Sequence, residues 1–265
     1  MRIENGAMRV NMRRRWLCLS WVFFMATASY ASDGNNWSYA GESGPSEWAR
    51  MEPGSACGGS AQSPVNIIVS DTEPFSDRTR PLLFDYSPQT MLKQVTNNGS
   101  SIQYDFAEGD AVEYQGKRFK LIQVHFHSPS EHMLNGVRYP LELHFVHLNE
   151  TDQQYTVLAI LGYEGKPIEK VKFLEEYLPS RKNQTVDIQK KLDLRSMFPR
   201  NLTPRFEYSG SLTTPPCSEG VNWVVFQEPL ELTKAYVDAL RSGMPVDNYR
   251  GPQPLNDRTV NWIVN

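Results

Sequence analysis

All five histidines of this 265-residue chain lie in one stretch, QVHFHSPSEHMLNGVRYPLELHFVH, from Gln123 to His147. They are His125, His127, His132, His144 and His147, with Glu131 and Glu142 among them. Imidazoles and carboxylates bind transition metals and carry protons near neutral pH. On a β-strand alternate side chains share a face, so His125 and His127 project together. Residues 141–148 also alternate and read as a strand. Glu142, His144 and Val146 fall on one face of it, and Leu143, Phe145 and His147 on the other. Between the two strands Asn135-Gly136 is a turn signal. If the strands pair, three imidazoles converge and leave a fourth position open, the pattern of a catalytic rather than a structural zinc. One strand histidine is ordinarily a core or surface residue, and His-x-His alone is a weak motif. The clustering of all five points to metal.

The elements that position this stretch are short. Strands are expected at 82–86, 91–96, 101–106, 111–114, 118–127, 155–163, 205–209 and 221–226, separated by Pro, Asn-Gly and Gly-Asp signals. Ile168, Val171, Leu174 and Tyr177 recur at helical spacing, and 192–197 reads as a short helix. A helix over 233–242 has Thr233 as N-cap and Gly243 beyond its end, with Ala235, Ala239 and Leu240 as its apolar face. Residues 32–59 form an irregular arm that packs through Trp37, Tyr39 and Trp48, and the tail docks through Trp262 and Val264. No repeat or linker divides the chain. The expectation is one mainly β (α+β) domain over 32–265, mostly antiparallel, with few helices.

Composition excludes some partners. The chain is 40% hydrophobic and 22% charged with a formal net charge of −3, so it lacks the basic balance of a nucleic-acid binder. No GxGxxG or GxxxxGK[ST] loop offers a phosphate cradle. Arg13, Arg14 and Arg15 precede an apolar run, Trp16 to Met25, and then small residues. This is the pattern of a signal peptide over 1–31, cleaved after Ala28 or Ala31. The run is shorter than the roughly 20 residues a membrane span needs, so no span is expected in the mature chain. Removing Cys18 leaves Cys57 and Cys217, which in an exported protein ordinarily bond to each other. That bridge would close a loop of about 160 residues, with a ceiling near ~5 kcal/mol from chain entropy.

The chain resembles the α-class carbonic anhydrases over nearly its whole mature length. The resemblance is carried, in order, by Trp37-Ser-Tyr39, Gln62-Ser-Pro-Val-Asn-Ile67, Asn97-Asn-Gly99 and Gln123-x-His-Phe-His127. Ser130-Glu-His132, Glu142-Leu-His-Phe-Val-His147, Gly210-Ser-Leu-Thr-Thr-Pro-Pro216, Asn222-Trp223, Asn248-Tyr-Arg250 and Gln253-Pro-Leu255 continue it. It implies a large twisted sheet of about ten strands with a few short peripheral helices. It also implies reversible hydration of carbon dioxide to bicarbonate and a proton by a zinc-bound hydroxide. By the same resemblance one Zn2+ per chain is expected on His125, His127 and His144, with Gln123 and Glu142 orienting ligand rings. Thr213 matches the residue that accepts a hydrogen bond from the hydroxide, and Glu131 the carboxylate that accepts the hydrogen bond of that hydroxyl. Val146, Ile160, Leu212, Val221 and Trp223 match the apolar wall for carbon dioxide, with Thr214 beside them at the substrate. His132 and His147 match structural histidines, and Cys57–Cys217 matches the bridge of exported members. Anions and sulfonamide-type inhibitors are implied at the metal.

One position departs from the pattern. Fast members carry a proton-relaying histidine where this chain has Ser100, and serine does not titrate near neutral pH. Tyr39 and Gln103 could order water but do not replace a shuttle base, so slowed proton release is expected. Two other readings stand beside the enzyme. A carbonic-anhydrase-like binding module would lack a zinc histidine, and all three are present. A zinc esterase would need a dedicated oxyanion pocket, and none is visible. The export signal favours a periplasm, with extracellular space and an organelle lumen as other destinations. Monomer and homodimer both fit the sequence.

Overall fold

The computed structural model describes residues 37–51, 55–79, 81–166, 169–244 and 247–264, so the signal-like segment 1–31 lies outside the described residues. In chain order the strands are β1 (Asn66–Ile67), β2 (Glu73–Ser76), β3 (Leu82–Asp85), β4 (Thr90–Asn97), β5 (Ile102–Phe106), β6 (Ala111–Tyr114), β7 (Lys117–His127) and β8 (Met133–Leu134). They continue as β9 (Val137–Arg138), β10 (Leu141–Asn149), β11 (Gln154–Glu164), β12 (Gln184–Leu192), β13 (Arg205–Ser211), β14 (Glu219–Leu232) and β15 (Asn261–Val264). The α-helices are α1 (Trp48–Met51), α2 (Phe173–Glu176) and α3 (Lys234–Ser242).

Twelve strands form one sheet along the path β12-β4-β5-β7-β10-β11-β14-β13-β15-β2, with β3 and β6 attached beside β7. β6 pairs with the first part of β7 and β5 with its last part, which is why the path branches there. The ladder is antiparallel except at β11–β14 and β15–β2. β10 sits in the middle, and Leu141 to His147 are all buried. A strand covered on both faces should read as a nearly continuous apolar run. The carboxylate and imidazoles that interrupt this one therefore need partners inside the protein.

The two faces carry separate cores. Leu143, Phe145, Leu158, Ile160, Val224 and Phe226 pack on one face together with Leu174, Tyr236 and Leu240 of the helices. Val146, Val157, Ala159, Val221, Trp223 and Val225 pack on the other. Each fully buried side chain of this size contributes about 1.5–3 kcal/mol of transfer free energy. The second face is the one that carries the histidine site.

Several expectations are corrected. Asn135 and Gly136, with φ of 49° and 78°, form the tight turn their sequence suggests, but it joins the short strands β8 and β9 rather than β7 to β10. Two positive-φ central residues match the right-handed twist of a hairpin. Thr233 does cap α3, its hydroxyl accepting the Tyr236 N–H at 3.0 Å. The buried side of α3 is Tyr236, Val237 and Leu240, however, while Ala235 is exposed. An alanine buries too little area to compete with a tyrosine and a valine for the core. The helical pattern at 168–177 resolves into two short turns, Glu169–Val171 and α2, and Ile168 lies outside the described residues. β12 was not anticipated, because its exposed Lys190 and Lys191 mask the apolar side of an edge strand. Such lysines also discourage pairing with another chain.

The tail docks as expected, β15 pairing with β13. Cys57 and Cys217 are disulfide-bonded, and Trp48, Trp37 and Tyr39 pack around the bridge.

Candidate metal centre

β7 and β10 pair so that His125 lies directly opposite His144. With alternate residues on one face, His127 joins them, and ligand atoms of all three lie within 4.8 Å of one another. His127 and His144 are buried and His125 is half-buried.

Each ring is held from behind. His125 Nδ1 lies 2.9 Å from Gln123 Oε1, His127 Nδ1 lies 2.6 Å from the Asn248 carbonyl oxygen, and His144 Nε2 lies 2.8 Å from Glu142 Oε1. A carbonyl or carboxylate oxygen can only accept, so the proton of each ring sits on that rear nitrogen. The forward atoms are then His125 Nε2, His127 Nε2 and His144 Nδ1, each presenting a lone pair. Such partners fix ring tautomer and orientation around a metal and raise ligand basicity. Burial lowers the pKa of all three, well below the usual imidazole range for His125 and to about 4 for His127. They are neutral at pH 7, as ligation requires.

Glu142 is fully buried. Burial alone would raise its pKa, but the charges and hydrogen bonds of His132 and His144 hold it well below the usual carboxylate range. Its Oε2 accepts the backbone N–H groups of Glu131 and His132 at 2.9 and 2.7 Å. His132, Glu142 and His144 also lie within ligating distance of one another. That trio is already satisfied internally, because Glu142 Oε1 takes hydrogen bonds from both rings. His147 points to the opposite face, with Nε2 2.6 Å from the Tyr86 hydroxyl.

Glu131 reaches into the site from the β7–β10 connection. Its Oε1 accepts the Arg250 N–H at 2.9 Å, and Oε2 lies 3.4 Å from His127 Nε2. Burial pushes its pKa up to about 7, opposed by His144 and by the Thr213 hydroxyl. Among the described residues no donor in good hydrogen-bond geometry reaches Oε2. Thr213 is itself buried on the loop after β13, which is braced where Cys217 N–H donates to the Thr214 carbonyl at 2.9 Å.

The apolar residues divide by strand parity. Val146, Val221 and Trp223 belong to the site-side core, Leu212 packs against it, and the Trp223 ring lies 4.9 Å from that of His144. Ile160 does not join them. It pairs with Leu143 and packs in the opposite core. Val157, paired with Val146, takes the place expected of Ile160. The alternation of 155–163 already put Val157 and Ile160 on opposite faces, so this signal was available. Asn248 and Arg250 had no such signal, since their partners are more than a hundred residues away in sequence.

Ser100 is half-buried, its carbonyl accepting Asn248 Nδ2–H at 3.0 Å. Tyr39 packs edge-on against Trp37 and Trp48. Burial, and then the charge of Glu131, raise its pKa well above the usual phenol value.

A twisted sheet here converges three imidazoles, each held from behind by an acceptor, into a cluster that could hold a metal ion. The family model described as eukaryotic-type carbonic anhydrase matches residues 43–263. A carbonic anhydrase of Pectobacterium carotovorum is 32% identical over 246 residues, covering 92% of this chain and 98% of that protein. One from Klebsiella pneumoniae is 36% identical over 232 residues, covering 85% and 90%. The α-carbonic anhydrase of Thermovibrio ammonificans, solved with the inhibitor sulfanilamide, superposes with a TM-score of 0.80 at 38% identity, covering 86% and 99%. The chain belongs to the eukaryotic-type, or α-class, carbonic anhydrase family. Among the described residues no helix is long and apolar enough to cross a membrane.

Proposed function

We propose that His125, His127 and His144 hold one Zn2+ and that the chain catalyses the reversible hydration of carbon dioxide to bicarbonate and a proton at that site. The observation that carries the metal assignment is the pair His125 Nε2 and His127 Nε2, 3.1 Å apart. Both rear nitrogens face acceptors, so two lone pairs oppose each other in a buried site, an arrangement a cation between them relieves. Three neutral nitrogen donors with an open fourth position fit zinc. When bound, zinc acts as a Lewis acid and brings the pKa of a coordinated water to about 7, a value for which carbonic anhydrase is itself the reference case.

The remaining roles belong to side chains. Gln123, Asn248 and Glu142 hold the three rings in the ligating tautomer. Glu131 accepts a hydrogen bond from the Thr213 hydroxyl, which leaves the Thr213 oxygen as an acceptor toward the reacting oxygen and fixes that oxygen's orientation. Val146, Val157, Leu212, Val221 and Trp223 offer carbon dioxide an apolar wall, suited to a molecule with no net dipole, and Thr214 lies at the substrate end of the loop. Ser100 cannot take up a proton near neutral pH, so the proton leaves through water to buffer. Sulfonamides and small anions compete for the open position.

The chain is exported through residues 1–31, with a periplasm as the preferred destination. The Cys57–Cys217 bridge suits such an oxidising compartment. Zinc content together with stopped-flow hydration across buffer concentrations tests this reading. One zinc per chain with buffer-dependent hydration supports it. A stoichiometric zinc protein without hydration would instead indicate a binding module.

A further inference from the structure

The buried polar groups behind Glu142 continue past the rings that face the metal. His132 Nδ1 lies 2.6 Å from Glu142 Oε1, the same oxygen that holds His144. His132 Nε2 lies 2.7 Å from the Tyr208 hydroxyl, and that hydroxyl lies 2.9 Å from Ser63 Oγ. Ser63 Oγ accepts the Ser211 N–H at 3.0 Å, while Ser211 Oγ accepts the Ser63 N–H at 2.9 Å. The Ser211 carbonyl accepts the Trp223 indole N–H at 3.0 Å. A continuous buried chain of hydrogen bonds therefore runs from His144 to the strand end that presents Thr213.

Packing keeps the chain closed. The Tyr208 ring lies parallel to Trp223 at 6.4 Å, and Trp223 meets His132 and His144 edge-on at 4.8 and 4.9 Å. A Cβ at Gly210 would stand 2.1 Å from Ser63 Oγ and 2.9 Å from both Tyr208 and Trp223. Glycine at this position is what lets the backbone approach Ser63 and the two rings so closely.

We propose that Tyr208 is a positioning residue of the metal centre. Through His132 and Glu142 it fixes the ring of His144, and through Ser63 and Ser211 it ties that ring to the end of β13, from which the loop carrying Thr213 departs. The inference rests on His144 being a ligand, as proposed above. Its physical basis is the shared oxygen of Glu142. Two imidazoles hydrogen-bond to one atom, so the hold on His132 decides how firmly and in which direction that atom holds His144. Without the Tyr208 hydroxyl, His132 loses its outer partner in a fully buried position, and Glu142 is steered from one side only.

Tyr208→Phe keeps the ring and its contact with Trp223 and removes only the hydroxyl. Zinc release into a chromogenic chelator should be about tenfold faster, the lower end of what loss of an outer partner costs. In a Glu142→Gln background the same substitution should add nothing, because the carboxylate through which it acts is gone. Equal release from wild type and Tyr208→Phe overturns the proposal. So does a tenfold effect that persists with Glu142→Gln, which would mean that the hydroxyl acts by a route other than Glu142. If Tyr208→Phe fails to fold, Ser63→Ala removes the next hydroxyl and should accelerate release in the same direction; unchanged release there overturns the proposal as well. A wild-type protein that retains no zinc overturns the metal reading itself, and is recognised before any variant is compared.

Discussion

His125 Nε2 and His127 Nε2 face each other across 3.1 Å, although neither ring has a proton to place between them. Each already donates its one N–H to a rear acceptor, Gln123 for one and the Asn248 carbonyl for the other. The pairing of β7 with β10 brings His144 to the same point. Metal binding should therefore be linked to stability. Protein stripped with a chelator should regain about 4 kcal/mol when zinc is added at a thousandfold excess over its dissociation constant. For a domain of this size that is a rise of about 10 °C in Tm. Calorimetry of stripped and reloaded protein measures it, and His127→Ala should abolish the response.

Thr213 and Glu131 should act as one unit. Thr213→Val keeps the side-chain shape and removes the hydroxyl, and kcat/KM for hydration should fall about 10–100-fold with zinc content unchanged. Glu131→Gln should fall by a similar factor, and the double variant by little more than either alone. Stopped-flow rates beside metal analysis of the same samples check this.

In the proposed function Ser100 leaves proton release to buffer. Turnover should rise with buffer concentration, and imidazole should accelerate it more than buffers titrating far from pH 7. Ser100→His should raise turnover in weak buffer by about a hundredfold, the low end of what general acid–base catalysis contributes. Wild-type turnover that does not respond to buffer concentration would remove the premise.

Strand parity makes a pair of neighbouring residues behave differently. Val157→Phe narrows the wall beside Val146 and should reduce kcat/KM by about tenfold with normal zinc binding. Ile160→Val lies on the far side of the sheet and should cost about 0.5–1.5 kcal/mol of stability with hydration unchanged. Denaturant melts and hydration rates on both variants separate the two faces.

The pH dependence of stability follows from His147. Burial lowers its pKa to about 4, opposed only by hydrogen bonds to backbone carbonyls. The unfolded imidazole titrates near 6.5, so between pH 6.5 and 4 the unfolded state binds the extra proton and stability falls as pH falls. The loss from this one group is about 3 kcal/mol across that window, with no contribution above it. His125, His127 and His144 are lowered as well and add in the same sense. Chemical denaturation at pH 7 and at pH 4.5 should show the difference, and His147→Gln should flatten it.

The local sequence determines much of this protein. Alternation in 118–127 and 141–148 sets which histidines share a face, because a strand's side chains repeat every two residues whatever surrounds it. Thr233 caps its helix for an equally local reason. Most of the strands are marked by their turn residues, whereas β2, β8 and β9 carry no such expectation and in β12 surface charge hides the alternation. Tertiary structure alone decided the rest. Asn248 behind His127, Arg250 on Glu131 and Tyr208 behind His132 are contacts between segments far apart in the chain. No periodicity reports them, because they depend on how β13, β14 and the tail are folded against β7 and β10. The sequence determines which imidazoles face the site. Only the packed sheet determines which nitrogen of each ring faces it, since that is set by the acceptor behind.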